Sequence, residues 1–154
     1  MKHLNKLFKT IDKLESFVPY FERENSKISK STIGWQIDHS FKVINGVIEV
    51  LKTAPITKKE KLSLIGRFCL AFSYIPRGKG KAPKTVLPPK TISKQEILKQ
   101  LILAKEGLNS IASVHPKATF KHAIFGVLSK ATTLKFLVIH TKHHIKIIED
   151  ILNK

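Results

Sequence analysis

The residues of this chain best suited to chemistry are its histidines, seven in all, and their spacing singles out a pair. His140 and His144 stand four apart in TTLKFLVIHTKHHIKIIEDIL, residues 132–152. On a helix each residue advances by about 100°, so these two lie about 40° from one another on one face. Leu134, Leu137, Val138, Ile145, Ile148 and Leu152 share that face. Lys135, Lys142, Lys146 and Glu149 fall opposite, with His143 at the boundary. Two imidazoles one turn apart and turned inward are either hydrogen-bonded core residues or ligands of a metal ion. Neutral imidazole nitrogens suit Zn²⁺, Ni²⁺, Fe²⁺ or Cu²⁺, and affinity alone does not choose among them.

A third histidine lies on a different expected helix. From about Thr32 to Thr53, Phe41, Ile44, Val47, Ile48 and Leu51 mark the centre of an apolar arc. His39 is at its shoulder with Trp35, Val43, Gly46 and Val50, while Asp38, Lys42, Asn45, Glu49 and Lys52 are expected to face away. Gly46 costs about 1 kcal/mol in a helix interior relative to Ala, which points to a close neighbour at that level. A helical bundle can bring His39 opposite the His140–His144 pair, giving three imidazoles from two helices. Three protein ligands leave a position open for water or substrate, as catalytic rather than structural metal sites do. His3 and His115 carry no assigned role.

The elements that must position these residues are helical. Leu4, Leu7, Phe8, Ile11, Leu14, Val18 and Phe21 recur at spacings of three and four over residues 2–22, with a break near Pro19. Ser31 or Thr32 caps the second helix. Thr57 and Glu60 form a capping box that opens a third helix to about Tyr74, with Leu62, Ile65, Phe68, Cys69 and Phe72 as core candidates. Ser93 and Glu96 form another, opening a fourth helix to about Ser113 with Ile97, Leu101, Ala104 and Leu108 inward. The connection SVHPKATFKHAIFGVLS follows, and no alternating strand pattern of useful length occurs. The expected fold is a single all-α domain over residues 1–154: an antiparallel four-helix bundle with one additional short helical segment.

Composition narrows the function. With 42% apolar residues in 154, the chain can bury one core. It has no run of 18 apolar residues, and the first fifteen lack the apolar region of a secretory signal. The lone Cys69 excludes an internal disulfide framework and fits a reducing compartment, the expected location being the bacterial cytoplasm. The net charge of +17 is almost all lysine, the only arginines being Arg23, Arg67 and Arg77. Specific readers of nucleic acid favour the guanidinium fork, so a dispersed lysine coat is the preferred account of this charge. The dense patch from Arg77 to Lys90 contains Gly78-Lys79-Gly80-Lys81 but lacks P-loop spacing, and it reads as a basic lid or linker.

The motifs Trp35-Gln36-Ile37-Asp38-His39, then His122-Ala123-Ile124-Phe125-Gly126-Val127-Leu128-Ser129, then His140-Thr141-Lys142-His143-His144 resemble those of the DinB/YfiT-like superfamily over roughly residues 30–150. Within it, the chain looks more like a branch of unknown function with HPxFGxL and HxxHH patterns. The resemblance implies a four-helix bundle that holds a divalent metal, Zn, Ni or Fe, through His39, His140 and His144. Trp35, His122 and His143 become neighbours that line the pocket or support the ligands. Two positions depart from the pattern: Ile147 stands where the family commonly has Gln, and Ala123 where it has Pro.

Relatives in that superfamily resemble thiol-dependent transferases and isomerases, so the resemblance implies a metal-dependent, thiol-using transferase or hydrolase. The alternative is a non-catalytic metal- or ligand-binding or stress-response protein, favoured by the lack of a carboxylate aimed at the site. A non-specific nucleic-acid binder driven by charge alone ranks third. The expected partners are a small-molecule substrate, with a low-molecular-weight thiol as the candidate, and a second copy of the chain in a homodimer. Neither nucleic acid nor membrane is expected.

Overall fold

The structure, a computed structural model, describes residues 2–54, 56, 59–78, 84–89 and 91–153. Five helices and a small sheet follow in the order α1 (Lys2–Glu15), α2 (Ile33–Thr53), β1 (Lys61–Leu62), α3 (Leu64–Phe72), α4 (Lys94–Ser110), β2 (Thr119–His122), β3 (Gly126–Ser129) and α5 (Lys130–Asn153). Helix α2 packs against α4 and α5, and α1 against α5 and α4. Leu7, Ile11, Leu14, Ile37, Phe41, Ile44, Ile48, Ile97, Leu108 and Ile148 fill the space between them in one buried cluster. Lys105 ties α4 to α1 through Glu15 at 2.7 Å, and Lys13 ties α1 to α5 through Glu149 at 3.6 Å.

The all-α four-helix bundle expected from the sequence is corrected by the sheet. Strands β1, β3 and β2 form an antiparallel sheet in that order, with Phe120 opposite Leu128 and Leu62 opposite Gly126. These strands have two and four residues, too few for a period of two to stand out in the sequence. Gly126 makes the hairpin possible. Its φ is +89°, and a Cβ there would collide with the Lys61 carbonyl, so only glycine both turns the chain and lets β1 approach. Among the described residues a Cβ at Gly46 would meet nothing within 4 Å, which corrects the expectation of a close neighbour there.

Caps decide where the helices start. The hydroxyl of Thr32 accepts from the Trp35 N–H at 3.2 Å, and Ser93 accepts from the Glu96 N–H at 3.1 Å, as expected. The Glu96 carboxylate turns instead to Gln100. Helix α3 begins later than the sequence suggested, with Ser63 as its cap. Thr57 lies outside the described residues, and Glu60 accepts from the Ser129 N–H across the sheet at 3.0 Å. Ile65, Phe68 and Phe72, core candidates by sequence, are exposed on α3, whereas Cys69 is buried. The first helix ends at Glu15, and a short 3-10 turn carries Pro19.

Helix α5 is the centre of the molecule. Besides the expected face it buries Thr133, Phe136, Ile139, Thr141, Ile147 and Ile151, because α1, α2, α3 and the sheet all lie against it. The first half of α2 is enclosed in the same way. Asp38, expected to face away, is fully buried and pairs with Lys42 at 2.7 Å one turn on. No described helix is long and apolar enough to cross a membrane.

Candidate metal centre

Where α2 crosses α5, His39, His140 and His144 converge. One ring nitrogen from each lies within 4.8 Å of the others, and His39 and His144 are buried. The Nε2 atoms of His140 and His144 are 3.3 Å apart. Two nitrogens held about 2.0–2.1 Å from Zn²⁺ at the tetrahedral angle stand about 3.3 Å apart, so this side of the triangle already has the required length. The other sides, at most 4.8 Å, need to contract by no more than about 1.5 Å.

Hydrogen bonds select the tautomers. The Nδ1–H of His39 donates to the Val86 carbonyl at 2.8 Å, and a carbonyl can only accept. The Nδ1–H of His144 donates to the Gln36 Oε1 at 2.6 Å. Gln36 is itself held by its Nε2–H donating to the Ser29 hydroxyl at 3.2 Å. With both Nδ1 atoms protonated, each Nε2 carries a lone pair. Metal-binding histidines are oriented in this manner, the far ring nitrogen bonded to a carbonyl or carboxylate group. His140 differs, since its Nδ1 is buried without a partner among the described residues.

Electrostatics keeps the imidazoles neutral. Burial pushes His140 and His144 well below the usual histidine range, and the neighbouring histidines push in the same direction. Burial also lowers His39, opposed by its bond to Val86 and by the Asp38 carboxylate. Neutral nitrogens with free lone pairs are what a divalent ion requires. The three histidines lie close enough together to hold a metal ion, and three protein ligands leave the fourth position of a tetrahedral ion unfilled.

The neighbours read from the sequence take distinct places. The Trp35 ring stacks on His39, with centroids 4.9 Å apart and planes at 18°. His143 meets His144 edge-on at 5.1 Å. His122 serves the hairpin: its Nδ1 accepts from the N–H groups of Ile124 at 3.1 Å and Phe125 at 3.2 Å. Between its ring and the centre stands Phe136, at 4.9 Å from His122 and 5.6 Å from His140. Arg77 pairs with Asp150 at 2.7 Å, while residues 79–83 and 90 of the basic patch lie outside the described residues.

Sequence reasoning missed Gln36 and Val86. Gln36 sits three residues before His39, about 60° away on the wheel, a polar residue within a buried helical run. That juxtaposition was the available signal. The carboxamide sought near the site at Ile147 is absent there, and one arrives from α2 instead. Val86 contributes a main-chain carbonyl, for which side-chain identity holds no clue. Comparison of the chain with protein-family models, with curated proteins and with solved structures finds no match.

Proposed function

We propose that this chain is a metal-binding protein related to the DinB/YfiT-like superfamily, in which the Nε2 atoms of His39, His140 and His144 hold one Zn²⁺, Ni²⁺ or Fe²⁺. The open coordination position takes a small molecule, and the activity is that of a metal-dependent transferase or hydrolase with a low-molecular-weight thiol as cosubstrate. The observation that carries this reading is the pair of bonds that hold Nδ1 of His39 and His144 on fixed acceptors, leaving the Nε2 lone pair of each ring free of a proton.

A divalent ion bound there would supply Lewis acidity, lowering the pKa of a coordinated water or thiol. The chain's own part is to orient and to exclude water. Gln36 and the Val86 carbonyl fix two rings, Trp35 covers the flat face of His39, and Phe136 closes the side towards the hairpin. Metal analysis of protein purified without chelators is expected to find about one divalent ion per chain. His140→Ala should lose it. A wild-type protein that takes up none of Zn²⁺, Ni²⁺ or Fe²⁺ under reducing, chelator-free conditions would overturn the proposal.

One observation favours a second reading, a metal or ligand holder without turnover. Asp38, the acid nearest the site in sequence, is committed to Lys42 at 2.7 Å. Thiol-consumption assays with a panel of electrophiles separate the two, since metal-loaded protein that stays inactive points to the holder.

A further inference from the structure

We propose that the exposed face of α3 docks this protein onto an anionic lipid surface. Leu64, Ile65, Phe68 and Phe72 are 82%, 57%, 55% and 68% exposed. On the helical wheel they span about 100°, a continuous apolar arc. Gly66, Cys69 and Leu70 form the buried side. The outward setting of this arc is built in from below. The Ser63 hydroxyl donates to the Ile124 carbonyl at 2.7 Å, the Ser63 N–H donates to the Phe125 carbonyl at 3.0 Å, and Gly66 lies against the Phe125 backbone where a Cβ would collide. Turning the helix to hide its apolar arc would break all three contacts.

The size and charge of the patch choose the occupant. Two half-exposed phenylalanines with a leucine and an isoleucine present roughly 500 Å², above what isolated surface hydrophobes account for. A stable pair of chains needs about 800 Å² from each partner, and a second copy would bring the same net charge of +17. An anionic bilayer asks for neither a matching surface nor a minimum area. It accepts apolar side chains at the acyl boundary and attracts cations to its headgroups. Exposed Arg67 lies about 60° beyond Leu64 on the wheel, and exposed Lys61 stands three residues before the arc in the chain. Apolar and electrostatic attractions therefore act together on lipid and oppose one another on a second copy. The sequence expectation of no membrane partner weighed only a spanning segment, and a docked helix needs none.

Flotation of the full-length protein with vesicles tests this. Wild type is expected to float with phosphatidylcholine vesicles containing phosphatidylglycerol, and not with phosphatidylcholine alone, with the bound fraction falling as salt rises. The double variant Phe68→Ser/Phe72→Ser should bind at least about 10-fold more weakly while keeping its helical circular dichroism. Phe72→Trp should show an emission blue shift on anionic vesicles beyond that of the wild type. Should the double variant fail to fold, Phe72→Trp decides alone. Absence of wild-type binding, equal binding by a folded double variant, or an unshifted Phe72→Trp emission would each overturn the proposal. So would a concentration-dependent dimer that Phe68→Ser dissolves, because it assigns the face to a second copy.

Discussion

Gln36→Leu is the sharpest perturbation of the proposed centre, because it leaves the three histidines in place and removes only the acceptor that orients one of them. The Gln36 side chain is almost fully buried, and its Oε1 accepts from the His144 Nδ1–H at 2.6 Å. With leucine there, the N–H is left unpaired in an enclosed site, which costs about 1–3 kcal/mol. His144 can escape that cost by moving its proton to Nε2, but it then has no lone pair for a metal. Loss of such an orienting partner typically weakens metal binding by about 10–100-fold, or about 1.4–2.8 kcal/mol. Competition titration of Zn²⁺ against a chromogenic chelator measures this directly, with Co²⁺ absorption as a check on coordination number. Gln36→Glu keeps an acceptor and adds a negative charge beside the imidazole, so it should hold metal at least as tightly as wild type. Ser29→Ala frees the far end of Gln36 without removing the acceptor, and should have the smaller effect. A folded Gln36→Leu protein that binds Zn²⁺ within about 2-fold of wild type would refute the argument that this bond sets the tautomer.

Three further outcomes follow from the buried groups and the hairpin. Because burial lowers His39, His140 and His144 below the unfolded value of 6.5, the unfolded chain of the metal-free protein binds more protons than the folded one below that pH. Its stability should therefore be highest above about pH 6.5 and fall as pH drops through that value, by up to about 1.4 kcal/mol per unit for each histidine. Urea denaturation of metal-free protein across this range tests the sign, and a flat or opposite slope would refute it. Lys42→Met strands the fully buried Asp38 carboxylate and should destabilise the fold by about 3–5 kcal/mol. The denaturation midpoint reads this loss, and substitution of both partners by apolar residues should recover much of it. Gly126→Ala forces a side chain into a positive-φ position against the Lys61 carbonyl. It should cost at least about 1–3 kcal/mol and lower the thermal midpoint, whereas Gly46→Ala, at an open helical site, should leave stability unchanged or raise it by up to about 1 kcal/mol.

Much of this architecture is legible in the chain because it depends on local period and on caps. The apolar spacing along α1, α2, α4 and α5 places Leu7, Ile11, Ile44, Ile97, Leu108 and Ile148 inside, where they are buried. Thr32 and Ser93 mark helix starts through hydrogen bonds that span only three residues. The same local reasoning misleads at α3. Its apolar residues have the period of a core-facing helix, yet the face that packs is chosen by Gly66 and Ser63 meeting the Phe125 backbone, some sixty residues away in the chain. Asp38 shows the converse error. A charged residue on the polar side of a wheel is expected in water, but α2 is covered on that side too, and Lys42 answers the charge.

The histidines divide between the two levels in the same way. Sequence by itself determined that His140 and His144 share a face and that His39 turns inward on another helix, because helical geometry is set by the backbone and repeats every turn. It also determined a chain rich in lysine with one cysteine. Only the tertiary structure decided that the three rings meet, and that the Val86 carbonyl and Gln36 hold the Nδ1–H groups of His39 and His144. Tertiary packing alone also set β1 beside Gly126 and Val127 and left the apolar face of α3 in the open. These contacts join residues far apart in the chain, so their energies depend on which surfaces are brought together, and no local period encodes that choice.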